Sequence, residues 1–140
     1  MTLTDQQISE IVDYLDSGMR CFYNKKTRTI KTTFNSDSYF VADQKLLEEE
    51  REEIEEHWED YFEFERMSSS DVFEVMTDFT DTVDNKELQN KLADTLRMAK
   101  PFKNFKWQVD NSGEYRQKWF DYQRMRYIDW VKEQIDDHYA

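Results

Sequence analysis

The sequence predicts a mainly helical α+β domain, with about five or six helices packed around a small antiparallel sheet. Only two Gly and one Pro interrupt 140 residues, which favours helices with short connections. Capping-box spacings recur immediately before apolar-periodic runs, as at Thr4 with Gln7 and Ser68 with Asp71. One early segment, MRCFYNKKTRTIKTTF, has aromatic and β-branched flanks around a polar turn, the pattern of a hairpin. Charged residues make up 36% of the chain, a share that leans towards disorder. Ten Phe, eight Tyr and four Trp at regular spacing outweigh it, because each ring buries a large area. Residues 1–140 therefore read as a single folded domain.

Taken in order, the first helix opens at the Thr4–Gln7 box, with Leu3 and Ile8 placed as a hydrophobic staple. Ile8, Ile11, Val12 and Leu15 trace one face, and Gly18 is placed to stop the helix. The hairpin follows near 19–34, turning at Asn24 to Thr27, and residues 35 to 42 read as a loop. Residues 43–60 form a strongly charged helix with Leu46, Leu47, Arg51, Ile54 and Trp58 as the inward stripe. A third strand near 61–66 should pair with the hairpin, with Phe62 and Phe64 sharing a parity and Tyr61 ambiguous. The Ser68–Asp71 box opens a helix carrying Val72, Val75, Met76, Phe79 and Val83. Asp84 with Glu87 repeats the capping spacing, ahead of Leu88, Leu92 and Leu96 at spacing four. Pro101 fits the first turn of a short helix with Phe102, Phe105 and Val109, ending near Asp110. Asn111 with Glu114 starts the last and longest helix, along which Tyr115, Trp119, Tyr122, Arg126 and Trp130 repeat.

Cys21 stands alone in the sequence, which rules out an intramolecular disulfide and fits a reducing compartment. No apolar run reaches the length of a membrane span. The opening MTLTDQQISE lacks the charged-then-apolar pattern of a secretory signal, so a cytoplasmic protein with no membrane contact is expected.

Three blocks stand out in order. They are W-x-x-Y-x-x-F-E at Trp58, Tyr61, Phe64 and Glu65, K-P-F-x-x-F-K at Lys100 to Lys106, and W-x-x-Y-x-x-x-R-x-x-x-W at Trp119 to Trp130. After an initial helix and hairpin, they make the chain resemble an uncharacterised bacterial protein family of the UPF series. That resemblance implies a small cytoplasmic bacterial protein and implies no reaction. Relatives in that family often have Gly or Arg just before the F-x-x-F piece, where this chain has Lys100 and Pro101.

Charge is segregated along the chain, whose formal total is −12. Residues 43–66 hold twelve acids against three bases, a net −9. Residues 97–126 hold eight bases against three acids, a net +5, and residues 20–31 hold five bases and no acid. Either the two signs pair within the monomer, each exposed pair worth about 0.2–1 kcal/mol, or the basic segments form an exposed patch for phosphates. Spacing three places Lys100, Lys103 and Lys106 on one side of a helix, with Phe102, Phe105 and Val109 as the neighbouring core stripe.

Nothing in the sequence signals catalysis or a cofactor. Serines 68 to 70 read as a helix start, and no glycine-rich phosphate loop is present. His57 lies near Glu53 and Asp60 but has no second His or Cys to complete a metal site. The last helix carries more aromatic residues than so small a domain readily buries, so an exposed apolar face for a partner is expected. The candidate binding surface is Lys100, Lys103, Lys106, Trp107, Arg116, Trp119, Arg126 and Trp130. The sequence thus favours a non-enzymatic interaction or regulatory domain with a protein partner or as a homodimer. The alternative is a nucleic-acid-binding module using segments 20–31 and 97–126.

Overall fold

A computed structural model describes residues 2–33 and 41–139, with side chains for 2–33 and 48–138. Among the described residues ten elements follow one another. They are α1 (Asp5–Asp16), β1 (Arg20–Asn24), β2 (Ile30–Thr33), α2 (Val41–Glu56), a 3₁₀ turn (Trp58–Asp60), β3 (Tyr61–Phe64), α3 (Ser69–Thr82), α4 (Lys86–Thr95), α5 (Pro101–Asp110) and α6 (Tyr115–Tyr139). The protein is mainly helical α+β, as its sequence predicts. Of the loop expected over 35–42, residues 35–40 lie outside the described residues and Val41 and Ala42 belong to α2 instead, while the side chains of Leu46 and Leu47 lie outside the described residues. The chain forms two compact units, Met1–Arg66 with Ile128–Ala140, and Met67–Tyr127.

In the first unit, Thr4 and Gln7 cap α1 reciprocally, each side chain bonding the other's backbone N–H. The helix ends as Gly18 turns left-handed at φ 84°. Met19 N–H then reaches Tyr14 O and Gly18 N–H reaches Leu15 O, satisfying carbonyls that the helix leaves open. The sheet is antiparallel in the order β2-β1-β3, with Phe22 opposite both Lys31 and Glu63. Strand β1 is central and buried from Cys21 to Asn24, so side chains of both parities find cover. On one face Phe22 meets Tyr61 edge-on at 6.5 Å and clusters with Ile54 of α2. Cys21 belongs to the other parity, and burial pushes its thiol up to about 12, with Glu10 and Glu63 adding to the effect.

Strand β3 departs from the expected parity, because Tyr61 and Phe64 are both buried while Phe62 is half-buried. Strand β3 lies at the sheet edge, yet side chains on both of its faces find aromatic cover, Tyr61 against Phe22 and Phe64 against Phe62 at 4.9 Å. The stripe expected on α2 also breaks. Ile54 is buried, but Arg51 is exposed and Trp58 is 69% exposed. The α-helix stops at Glu56, and the tighter 3₁₀ turn rotates Trp58 off the inward line.

In the second unit, Ser68 and Asp71 cap α3 as the sequence suggests. Helix α4 starts one residue later than expected. Asn85, not Asp84, is the cap, its Oδ1 accepting from Leu88 N–H at 3.1 Å. Helix α6 starts at Tyr115 because Asn111 closes α5 instead, donating its side-chain amide to Trp107 O at 2.7 Å. The core is an aromatic knot. Trp119 stacks edge-on against Phe79 at 5.2 Å and Phe105 at 5.0 Å, among Val75, Met76, Leu92 and Val109.

Candidate functional site

Helix α5 owes its orientation to its first two residues. Pro101 at the helix start needs no N–H partner there, and it disfavours the right-handed helical conformation for Lys100. Lys100 takes the left-handed one, φ 55° and ψ 57°. Asn104 secures that turn by donating its side-chain amide to Ala99 O at 2.9 Å and its backbone N–H to Lys100 O at 3.2 Å. Phe105 and Val109 then point into the core and set which face is left outside.

That outer face is both basic and aromatic. Trp107 is 64% exposed, Phe102 is 41% exposed, and Met98 just before the helix is 50% exposed. Spacing four puts Lys103 beside Trp107 and Lys106 beside Phe102. Phe102 was expected in the core with Phe105, and it is not. It lies at the helix start, and a helical side chain leans back towards the N-terminus, so Phe102 projects beyond the cluster that Phe105 joins. Lys100, Lys103 and Lys106 are exposed and form no ion pair with any described residue.

The other expected site residues are spread through both units. Arg116 lies over the Phe120 ring at 5.1 Å and pairs with Asp110 at 3.3 Å. Trp119 is buried and serves the core. Arg126 is half-buried, donating to Asp78 at 2.7 Å and to the Tyr122 hydroxyl at 2.9 Å. Its guanidinium is held further up by Asp78 despite the opposing effect of burial. Trp130 is in the first unit, where its indole N–H donates to Glu65 O at 2.8 Å. Lys100, Lys103, Lys106 and Trp107 are thus gathered on one helix, whereas Trp119, Arg126 and Trp130 have internal partners.

The basic hairpin meets the acidic segment within the first unit. Arg20 donates two bonds to Glu63 at 2.8 and 2.7 Å, Lys26 lies 3.5 Å from Asp60, and Lys31 pairs with Glu53. Of the five hairpin cations, Lys25 and Arg28 are left without such a pair among the described residues.

A feature with no local sequence signal is a groove of about 420 Å³ in the second unit. Phe79 and Val83 give it an apolar floor, and Tyr115 and Tyr122 give it walls. Asp84, Lys118, Asp121 and Met125 stand around its mouth. Tyr115 donates its hydroxyl to Asp84. That bond holds the Asp84 carboxyl below its usual range and raises the Tyr115 phenol to about 12. Among the described residues, no three His, Cys, Asp or Glu side chains gather as a metal site requires.

The sequence profile of one known family, an uncharacterised protein family designated UPF0158, matches residues 19–138. The chain belongs to UPF0158. No curated protein and no solved structure matches it. The matched stretch of this UPF0158 protein runs from just ahead of β1 almost to the end of α6 and therefore includes the α5 face and the groove. Two of the three sequence blocks have structural work in the first unit. Trp130 and Gln134 both donate to Glu65 O, and Gln134 Oε1 accepts Glu65 N–H at 2.8 Å, which fixes the chain as it leaves β3. The middle block is the one that faces outward.

Proposed function

We propose that this UPF0158 chain is a non-enzymatic interaction domain that docks a protein partner on the outer face of α5. The observation that carries it is the exposure of Trp107 and Phe102 beside lysines that no described acid neutralises, in a chain with 31 acids. Tryptophan and other aromatic residues in such settings dominate protein–protein binding energy. The complementary partner is an acidic segment carrying apolar anchors, its carboxylates meeting Lys103 and Lys106 and its anchors lying on Phe102 and Trp107.

The pairing of Arg20, Lys26 and Lys31 with acids in their own unit weighs against the nucleic-acid alternative, since a phosphate track needs many free cations. We also place the protein in the cytoplasm. Cys21 is a free buried thiol, and no helix among the described residues is long and apolar enough to cross a membrane.

The test is capture from host lysate with nuclease treatment, comparing the natural chain with Trp107→Ala and with Lys103→Glu/Lys106→Glu. An acidic protein retained through nuclease by the natural chain and lost by both variants is the expected result. Direct recovery of nucleic acid, lost steeply with added salt, would instead favour the alternative.

A further inference from the structure

The groove beside the first half of α6 is separate from the α5 face. Its volume of about 420 Å³ falls among small-molecule sites, which span roughly 300–1,000 Å³ and combine an apolar lining with a few placed polar groups. Its walls are pinned in place. The Tyr115 hydroxyl is tied to Asp84, and the Tyr122 hydroxyl accepts from Arg126, which Asp78 holds. Walls fixed in advance lose little conformational freedom when a ligand arrives.

Each wall already faces a cation. Lys118 Nζ lies 4.7 Å from the centre of the Tyr115 ring, and the Arg126 guanidinium carbon lies 5.8 Å from that of Tyr122. Arg126 is locked by its carboxylate. Lys118 is held loosely, with a side chain 53% exposed and a long 3.8 Å pair to Glu114. Lys118 therefore marks where a positive charge is favoured without being fixed there. Two carboxylates, Asp84 and Asp121, stand at the mouth against this one ammonium.

We infer that the groove binds a small organic cation, an ammonium on a short apolar body. Its charged head displaces Lys118 from the Tyr115 face beside Asp84 and Asp121, and its body lies on Phe79, Val83 and Met125. Aromatic faces flanked by carboxylates suit such head groups through cation–π attraction and charge. A free amine and a peptide lysine present the same head, and the size of the groove favours the free amine.

Hexylammonium is the probe, followed by backbone amide NMR on the full chain, with hexan-1-ol and hexanoate as controls and a blocked lysine tripeptide as a further arm. Hexylammonium should shift signals over residues 82–84 and 115–125, and the alcohol and the carboxylate should not at equal concentration. Lys118→Gln removes the internal competitor and should tighten binding by about two- to fivefold, while Asp121→Asn should weaken it by a similar factor. Both positions are exposed, so folding is preserved and the amide spectrum verifies it. Equal binding of hexan-1-ol, unchanged or weaker binding in Lys118→Gln, or binding of the tripeptide alone would overturn the inference.

Discussion

Trp130 and Tyr115 are both aromatic residues of α6 whose polar ends decide what they do. The Trp130 indole N–H and the Gln134 amide share the Glu65 carbonyl. Trp130→Phe keeps an aromatic side chain but removes the N–H donor together with the five-membered ring, so urea unfolding should show a loss of at least about 1 kcal/mol, the usual net worth of such a bond. Tyr115 gives a pH signature. Its bond depresses the Asp84 pKa, so that carboxylate contributes stability above its ordinary value of about 3.9 and loses it as pH falls through the lower folded value. The Tyr115 phenol runs the other way. It is raised to about 12, so its contribution is complete below its ordinary value of about 10 and disappears as pH rises through the folded value. In Tyr115→Phe the Asp84 side-chain carbonyl should titrate at higher pH than in the natural chain, as followed by carbon NMR. An unmoved Asp84 titration would show that Tyr115 is not its partner in solution.

Helix α5 concentrates the tension between local backbone preference and tertiary demand. Lys100 is held in the left-handed region, which costs an ordinary L-residue about 1–2 kcal/mol. Glycine avoids that cost but gives back part of it through a freer unfolded chain, about 0.4–1 kcal/mol. Lys100→Gly should therefore raise stability by about 0.5–1 kcal/mol in chemical denaturation. On the same helix Phe105→Ala should cost about 3–5 kcal/mol, while Trp107→Ala should stay within about 0.5 kcal/mol of the natural chain. The sequence made the elements with local grammar legible. The caps at Thr4 and Ser68, the Gly18 stop and the Pro101 start are decided by residues within a few positions. It misplaced the starts of α4 and α6 because the deciding partners are elsewhere. Asp84 is taken by Tyr115, 31 residues away, and Asn111 serves the helix behind it.

For the molecule as a whole, a net charge of −12 coexists with a basic and aromatic face on α5. Local pairing accounts for much of the remaining basic charge. Arg20, Lys26 and Lys31 meet acids in the first unit, and Arg97, Arg116, Lys118 and Arg126 meet acids in the second. The lysines of the candidate face were legible because spacing three along one helix needs no tertiary knowledge. The groove was not, since its floor comes from the end of α3 and its walls from α6, and no periodicity links them. The most direct measurement places a photo-crosslinking phenylalanine analogue at position 107 in the host cell, with the same analogue at Gln117 as control. Discrete protein adducts at 107 alone, insensitive to nuclease and abolished by Lys103→Glu/Lys106→Glu, are the predicted result. Adducts to nucleic acid, or equal protein adducts at both positions that survive the charge reversal, would contradict docking on the α5 face.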